Sequence, residues 1–497
     1  MIRVEPIDAA VIDVGSNSVR LVVYRLEGRA IWQVYNEKVL AGLGRDIAST
    51  GRLNEAGVAK TLIALRRFQA LLGEKTGARI FAVATAAVRD AKDGPAFVAR
   101  VRGETGLSLR VLTGEEEARY SALGVAAGLP EASGVVGDLG GGSLELVAMD
   151  AGRPGAAATF PVGPFALIQP GSYDAKAIEA EVARRLEPAG AFAAKTFHAV
   201  GGAWRNLALI HMHMTGYPLE IIHEYRLSAN EAMETARLIS RQSRGSLERM
   251  GGASKKRAET LPYAATVLTA VIERLDVGEV IFSAFGLREG LLFESMTPQV
   301  RALDPLVTGL AALARRPADA EALGSALDRW LSPAFVGLNP VLDGRDALVI
   351  SAACRLADFG ARLHPDHRAN LALEQVLRAP VAGQTHTERA FLAVAIFARH
   401  TAIVEPDEQH ILSRLLDFSA QRRAKAVGAA IRLGSDLCGR NPALLRHSHL
   451  DIDDETVTLT ADANRADLLL GDQTRRRAET LAATLGRRLV VRPGEAR

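Results

Sequence analysis

The chain has 497 residues, of which 48% are apolar and 24% charged, and its net charge is +3. This is the composition of an ordinary globular protein with length for about two to four domains. So small a charge, with no aromatic-rich basic stripe, argues against a nucleic-acid partner. Two cysteines, Cys354 and Cys438, are too few for a disulfide scaffold or a zinc ribbon, and both are expected to be buried.

No basic N-terminal region leads into an apolar core, and no apolar run reaches bilayer length. The expected location is cytoplasmic, away from membranes.

In chain order, residues 8–25 predict a hairpin and 31–39 a further strand, while 41–53 is polar and glycine-rich, hence a loop. Val58, Leu62, Leu65, Phe68 and Leu72 recur at helical spacing across 55–73. A short β run covers 79–85, a helix 95–105 and a strand 109–112. The spacing predicts a helix over 115–127, with Thr113 as N-cap and Glu116 as its capping-box partner. Glu115, Glu116 and Glu117 therefore fall in the first turn, where the helix dipole alone would favour acids.

A second lobe begins near Gly128–Pro130. It is organised around residues 133–149, SGVVGDLGGGSLELVAM. An apolar run ends at Asp138, Gly140, Gly141 and Gly142 follow, and an alternating run starts at Ser143: strand, glycine turn, strand. Three glycines permit positive φ and expose N–H groups that can cradle a phosphate. Asp138 and Glu145 flank the turn, and carboxylates beside phosphate oxygens suit a bridging Mg²⁺. An ordinary glycine-rich hairpin is the simpler alternative.

Residues 10–23, AVIDVGSNSVRLVV, repeat this pattern. A shift of 125 positions sets Asp13 on Asp138, Gly15 on Gly140, Ser18 on Ser143 and Leu21 on Leu146. Two related lobes, each with an Asp and a phosphate loop, would face each other across a ligand cleft.

Further on, 152–155 reads as a linker and 174–189 as a helix, and a strand at 196–200 meets Gly201 and Gly202. Helices are expected at 229–241 and 261–275, a strand at 280–283, and a turn at 286–290 into a closing helix. The stretch 241–257 carries six basic residues against one acid, either a solvated surface or a patch for a long polyanion. From 305 to 447 the chain is Ala/Leu/Arg-rich with helical periods, and after Ser448 a strand, helix and strand form a small α/β appendage. The expected domains are 1–127, 128–303, 304–447 and 448–497.

The two loop motifs resemble the phosphate-1 and phosphate-2 loops of the acetate-kinase, sugar-kinase, actin and heat-shock-chaperone superfamily. In detail, VIDVGSNSVRLVVY and DLGGGSLELV resemble the exopolyphosphatase / guanosine pentaphosphate phosphohydrolase family. ATAAVRDA at 84–91, LTGEEEARY at 112–120, AVGGAWRNLA at 199–208 and SAFGLREGLLFE at 283–294 agree with it, in unbroken order.

The resemblance implies an α/β fold of two duplicated actin-like (ribonuclease H-like) lobes over residues 8 to 300, followed by an HD-like helical domain. It implies Glu117 as the base that activates water, Arg89 as a clamp on the terminal phosphate, and Mg²⁺ on Asp138 and Glu145. Backbone N–H groups at Asn17, Ser18, Gly140, Gly141, Gly142 and Ser143 would grip phosphate oxygens. Asp13, Gly201, Gly202, Arg288 and Glu289 are further candidates.

The chain departs from the family at Ala86, where Ser or Thr is common. It also holds no His-Asp dipeptide, which metal-dependent HD enzymes need. His364, His367, His386 and His400 are therefore expected to be structural or to contact phosphate, and His211 and His213 to be surface or core residues. The implied activity is stepwise removal of orthophosphate from inorganic polyphosphate by a homodimer. The alternatives are hydrolysis of guanosine pentaphosphate (pppGpp), or a regulatory clamp that binds without turnover.

Overall fold

The alternation of strands and helices in the first 300 residues builds two sheets with one plan. The computed structural model of the chain describes residues 5–73, 77–168, 173–314, 318–402 and 405–494. The chain divides into two compact units, Met1–Pro305 and Leu306–Arg497.

In the first sheet, β1 (Ile7–Val14), β2 (Ser18–Glu27), β3 (Ala30–Leu40), β4 (Arg79–Ala84) and β5 (Arg110–Val111) take the order β3-β2-β1-β4-β5. β1 runs antiparallel to β2 and parallel to β4. The second sheet contains β6 (Gly134–Leu139), β7 (Leu144–Asp150), β8 (Arg153–Phe160), β9 (Thr196–Val200), β10 (Tyr225–Ser228) and β11 (Glu279–Phe282). Its order is β10-β11-β9-β6-β7-β8, with β6 antiparallel to β7 and parallel to β9. Apart from the edge strand β10, this is the first sheet over again, as the repeat of 125 positions requires. It is the actin-like, ribonuclease H-like plan.

Residues 152–155 are not a linker. Pro154 and Gly155 lie inside β8, which pairs antiparallel with β7 across a register shift between Val147 and Met149. β8 is an edge strand, so the missing Pro154 N–H costs no ladder bond on its open side. The helix expected over 174–189 ends at Arg185, and Pro188 is the second residue of a separate 3₁₀ turn, Glu187–Phe192.

The inner strands of each sheet are buried on both faces, while the edge strands β3 and β8 are largely exposed. Leu62, Leu65, Phe68 and Leu72 of helix Glu55–Gly73 line up at helical spacing and join Ile12, Val14 and Leu21 in one core. Phe197, Trp204, Leu207 and Leu268 build the matching core of the second sheet. Between the sheets lies helix Gly114–Gly128. Its Tyr120 and Leu123 pack with Val11 and Val22 of the first sheet, and its Ala118, Ala122 and Val125 with Val136 and Val147 of the second.

Helix Leu287–Ser295 lies against this central helix at unusually close range. A methyl on Gly290 would come within 1.8 Å of the Tyr120 carbonyl oxygen, and one on Gly124 within 2.1 Å of the Gly286 carbonyl oxygen. Gly290→Ala must push the two helices apart. We expect a loss of about 1–3 kcal/mol or more in chemical denaturation; an unchanged midpoint would show that the helices separate freely.

The second unit is helical around Phe418–Leu437, which packs against His386–His400 and Asp472–Leu485. It also holds a three-stranded sheet of β12 (Ser448–Ile452), β13 (Thr456–Ala461) and β14 (Arg488–Pro493) in that order. Cys354 and Cys438 are both buried. Among the described residues no helix is long and apolar enough to cross a membrane.

Candidate active site

Both predicted phosphate loops are tight turns at the ends of paired strands. Gly15 N–H donates to the Ser18 carbonyl at 3.0 Å, and Gly140 N–H donates to the Ser143 carbonyl at 2.9 Å. The carbonyls of Ser16 and Asn17 accept from the N–H groups of Gly44 (2.8 Å), Ala41 (3.1 Å) and Gly42 (3.0 Å). In the second lobe the carbonyls of Gly141 and Gly142 accept from Phe165 (2.8 Å) and Gly163 (3.1 Å).

Loop carbonyls are thus turned into the protein in both lobes. The N–H groups of Ser16, Asn17, Gly141 and Gly142 have no backbone acceptor among the described residues. That polarity suits an anion.

None of Gly140, Gly141 and Gly142 has a left-handed backbone, and only Gly141 is short of space. A methyl on Gly141 would lie 2.9 Å from the Phe165 ring and 3.8 Å from the Ser16 Cβ of the opposite loop. A methyl on Gly142 would meet open space.

The acids come next. Asp138 of β6 is directly opposite Glu145 of β7, which places both carboxylates on one face of the sheet. Asp138 accepts a hydrogen bond from the Ser121 hydroxyl, and Glu145 accepts one from the Ser143 hydroxyl. Burial pushes the Glu145 carboxyl well above the usual range, and the nearby Glu117 adds to this. Burial also raises Asp138.

Glu117 sits in the first turn of helix Gly114–Gly128, one residue after the acid that closes the cap. Thr113 Oγ1 accepts from Glu116 N–H at 3.1 Å, and the Glu116 carboxylate accepts from Thr113 N–H at 2.9 Å. Of the three acids, then, Glu115 is exposed, Glu116 serves the helix, and Glu117 faces the cleft, its side chain 14% exposed. Arg89 Nη1 donates to Glu117 at 3.1 Å and to the Leu112 carbonyl at 3.2 Å. Burial, and then the charge on Asp138, push the Glu117 carboxyl up to about 7.

The repeat shows its sharpest difference here. The counterpart of Glu145, 125 positions earlier, is Arg20, which stands opposite Asp13 as Glu145 stands opposite Asp138. Arg20 in turn is opposite Lys38 of β3. Burial lowers Arg20 to about 10, with Arg288 and Arg205 contributing. Burial lowers Lys38 to about 8, with Arg257, Arg20 and Arg288 contributing. At this strand position the second lobe presents a carboxylate and the first a cation.

Sequence reasoning did not single out Arg20, Lys38, Arg205 or Arg257 individually. Arg20 and Arg205 lie inside the motifs, and the shift of 125 positions sets Arg20 on Glu145; strand pairing adds that Arg20 faces Asp13 and Lys38.

The remaining candidates divide. Arg288 Nη1 donates to Asp13 at 3.1 Å, so Asp13 holds this guanidinium. Glu289 is buried and structural: it accepts from Tyr24 Oη at 2.6 Å and from Gly286 N–H at 2.9 Å, closing the cap of helix Leu287–Ser295. Gly201 has φ of 109°, and a methyl there would meet the Leu139 carbonyl oxygen at 2.6 Å. A methyl on Gly202 would collide with the Arg257 guanidinium, which lies against it. From the basic stretch 241–257, Arg257 enters the electrostatic environment of Lys38. Arg244 instead pairs with Glu248 at 2.9 Å on the surface.

Comparison with known proteins gives the family that the motifs resemble. The model of the Ppx/GppA phosphatase family matches residues 22–299. The chain belongs to the Ppx/GppA phosphatase family. The model described as exopolyphosphatase, C-terminal, matches residues 318–491 of this Ppx/GppA chain. Exopolyphosphatase 1 of Mycobacterium tuberculosis is 28% identical over 342 residues, covering 63% of this chain and 96% of that protein. The crystal structure of the Aquifex aeolicus Ppx/GppA family member superposes with a TM-score of 0.53 at 27% identity, covering 59% of this chain and all of that one. An exopolyphosphatase structure from Cytophaga hutchinsonii shares the fold, with a TM-score of 0.53 at 20% identity over 57% of this chain and 96% of that one. As a Ppx/GppA protein, the chain is a hydrolase of the phosphatase class.

Proposed function

We propose that the chain is an exopolyphosphatase, which removes orthophosphate from the end of inorganic polyphosphate by hydrolysis of the terminal phosphoanhydride. The observation that carries this is the pairing in one cleft of two anion-binding loops with Glu117, a carboxyl poised near neutrality.

The residues fit a magnesium ion. Among the described residues no group of three or more His, Cys, Asp or Glu is arranged to hold a metal. Mg²⁺ ordinarily takes one or two carboxylates and completes its shell with phosphate and water. Asp138 and Glu145 supply two hard oxygen donors whose adjacent charges disfavour each other without a cation. Bound there, Mg²⁺ would neutralise charge on the transferred phosphoryl group.

The chain's own groups supply the rest. The N–H groups of Asn17, Ser18, Gly141, Gly142 and Ser143 bind phosphate oxygens, whereas that of Gly140, also expected from the sequence to do so, is spent on the Ser143 carbonyl and closes the turn. Arg89 holds Glu117 in place and offers its fork to the terminal phosphate. Glu117 takes the proton from the attacking water. Arg20, Lys38, Arg257 and Arg288 form a run of positive charge along which successive phosphates of the chain lie. Asp13 acts through Arg288. The homodimer expected from the family would present two such clefts.

A base with this carboxyl sets a pH profile. Protonation of Glu117 below about 7 removes the active form, so kcat should fall close to tenfold per pH unit on the acid side. A rate flat from pH 7 down to pH 5 would exclude this base.

The deciding experiment incubates purified protein with Mg²⁺ and either long-chain polyphosphate or pppGpp. Sustained phosphate release from polyphosphate is the expected result. Release from the guanosine nucleotide alone would assign the alternative substrate, and stoichiometric binding without release would make the chain a regulatory clamp.

A further inference from the structure

The helical unit carries a second concentration of positive charge, built by four helices packed in succession: Arg368–Arg378 on His386–His400, this on Phe418–Leu437, and this on Asp472–Leu485. They contribute Arg368, Arg399 with His400, Arg432 with Asp436, and Arg477. All are partly exposed, although Arg399 is sunk deeply enough that burial lowers its guanidinium to about 10.

The bend that precedes helix Arg368–Arg378 closes the corner. Its Ala357 carbonyl accepts from Arg399 Nε at 3.1 Å and its Phe359 carbonyl from His400 Nε2 at 2.7 Å, while Asp358 pairs with Arg440. A methyl on Gly360 would lie 3.2 Å from His400 Nε2, so the bend is seated on the imidazole.

The charges do not balance. Asp358 is taken by Arg440, and Asp436 by Arg477 at 2.7 Å. Among the described residues, Arg368, Arg399 and Arg432 have no carboxylate at ion-pair distance. Among the described residues Arg399 spends only Nε, on a carbonyl, and its two terminal nitrogens have no hydrogen-bond acceptor. Burial first, and then the charges of Arg399, Arg368 and Arg432, hold His400 neutral, near 4. Uncompensated arginines held at one place by backbone contacts are how proteins prepare a multivalent anion site, since each guanidinium offers a planar fork of donors.

We propose that the corner formed by Arg368, Arg399 and Arg432 over the 357–360 bend is a second anion site, which takes a compact diphosphate or triphosphate group. It is built entirely within the second unit and uses no residue of the catalytic cleft.

The test is equilibrium dialysis of the full chain, in chelator and at physiological salt, with pyrophosphate in one arm and a nucleoside diphosphate in the other. The wild type should bind one equivalent more than the R368Q/R432Q double variant, in whichever arm carries the natural source of the group. Arg432→Lys, which keeps the charge, should retain most of that equivalent. Neither Arg368 nor Arg432 holds a carboxylate, so both variants should melt close to the wild type, and the single R432Q serves should the double variant melt early. Phosphate release at the catalytic cleft should persist in all of them. Equal binding by wild type and double variant in both arms would overturn the site, as would an extra equivalent that survives both substitutions.

Discussion

Glu117→Gln should leave the protein folded and able to hold polyphosphate while phosphate release falls by ~10²–10⁴-fold, the usual loss when a general base is removed. The amide keeps the shape of the side chain and can still accept from Arg89, which lies 3.1 Å from the carboxylate. It cannot take a proton. The helix itself is capped by Thr113 and Glu116, so the substitution does not touch the cap. Filter binding of labelled polyphosphate beside a phosphate-release assay checks both halves. A variant with the wild-type rate would remove Glu117 from the chemistry, and one that no longer binds would make it a binding residue.

Glu145→Gln should move activity and stability in opposite directions. Glu145 is 1% exposed and faces Asp138 across the strand pair, with its carboxyl pushed well above the usual range by burial and then by Glu117. A carboxyl raised in the folded state is penalised once it must ionise. The penalty is absent below its unfolded pKa and grows as pH rises above it. Replacing it with a neutral amide should therefore raise the metal-free melting temperature at pH 8 but hardly at pH 5. A gain of about 0.5–2 kcal/mol is the scale for relieving such a site. Turnover should fall sharply, and the residual rate should no longer climb with added Mg²⁺. Asp138→Asn should show the same flattened Mg²⁺ response. An undiminished Mg²⁺ dependence in both variants would remove these carboxylates from the metal site.

Much of the site was legible because its residues lie in short, locally determined motifs. The capping box Thr113–Glu116 fixes the first turn of its helix, and that alone orients Glu117 differently from Glu116. The repeat placed Asp13 and Asp138 at equivalent ends of equivalent strands. What stayed hidden depends on pairing between distant segments. Lys38 reaches the site because β3 pairs with β2 in one particular register. Arg257 reaches it because Gly202 leaves room for its guanidinium. Local composition also misled. Pro154 and Gly155 signal a break, yet an edge strand tolerates both, and Glu289 stands in a functional motif but is spent on Tyr24 and the Gly286 cap.

The central helix is a shared wall of both sheets, fastened to its neighbour by glycine contacts too tight for a methyl group. If the jaws of this molecule swing, the axle lies there. Points near an axle travel least, so Glu117, the proposed proton acceptor at the start of that helix, would keep its aim while the rims carrying Ser16 and Gly141 swept apart and together. Gripping and releasing a substrate would then be separated from aligning the reaction, which would let a long chain advance one link at a time without rebuilding the catalytic geometry after each cut.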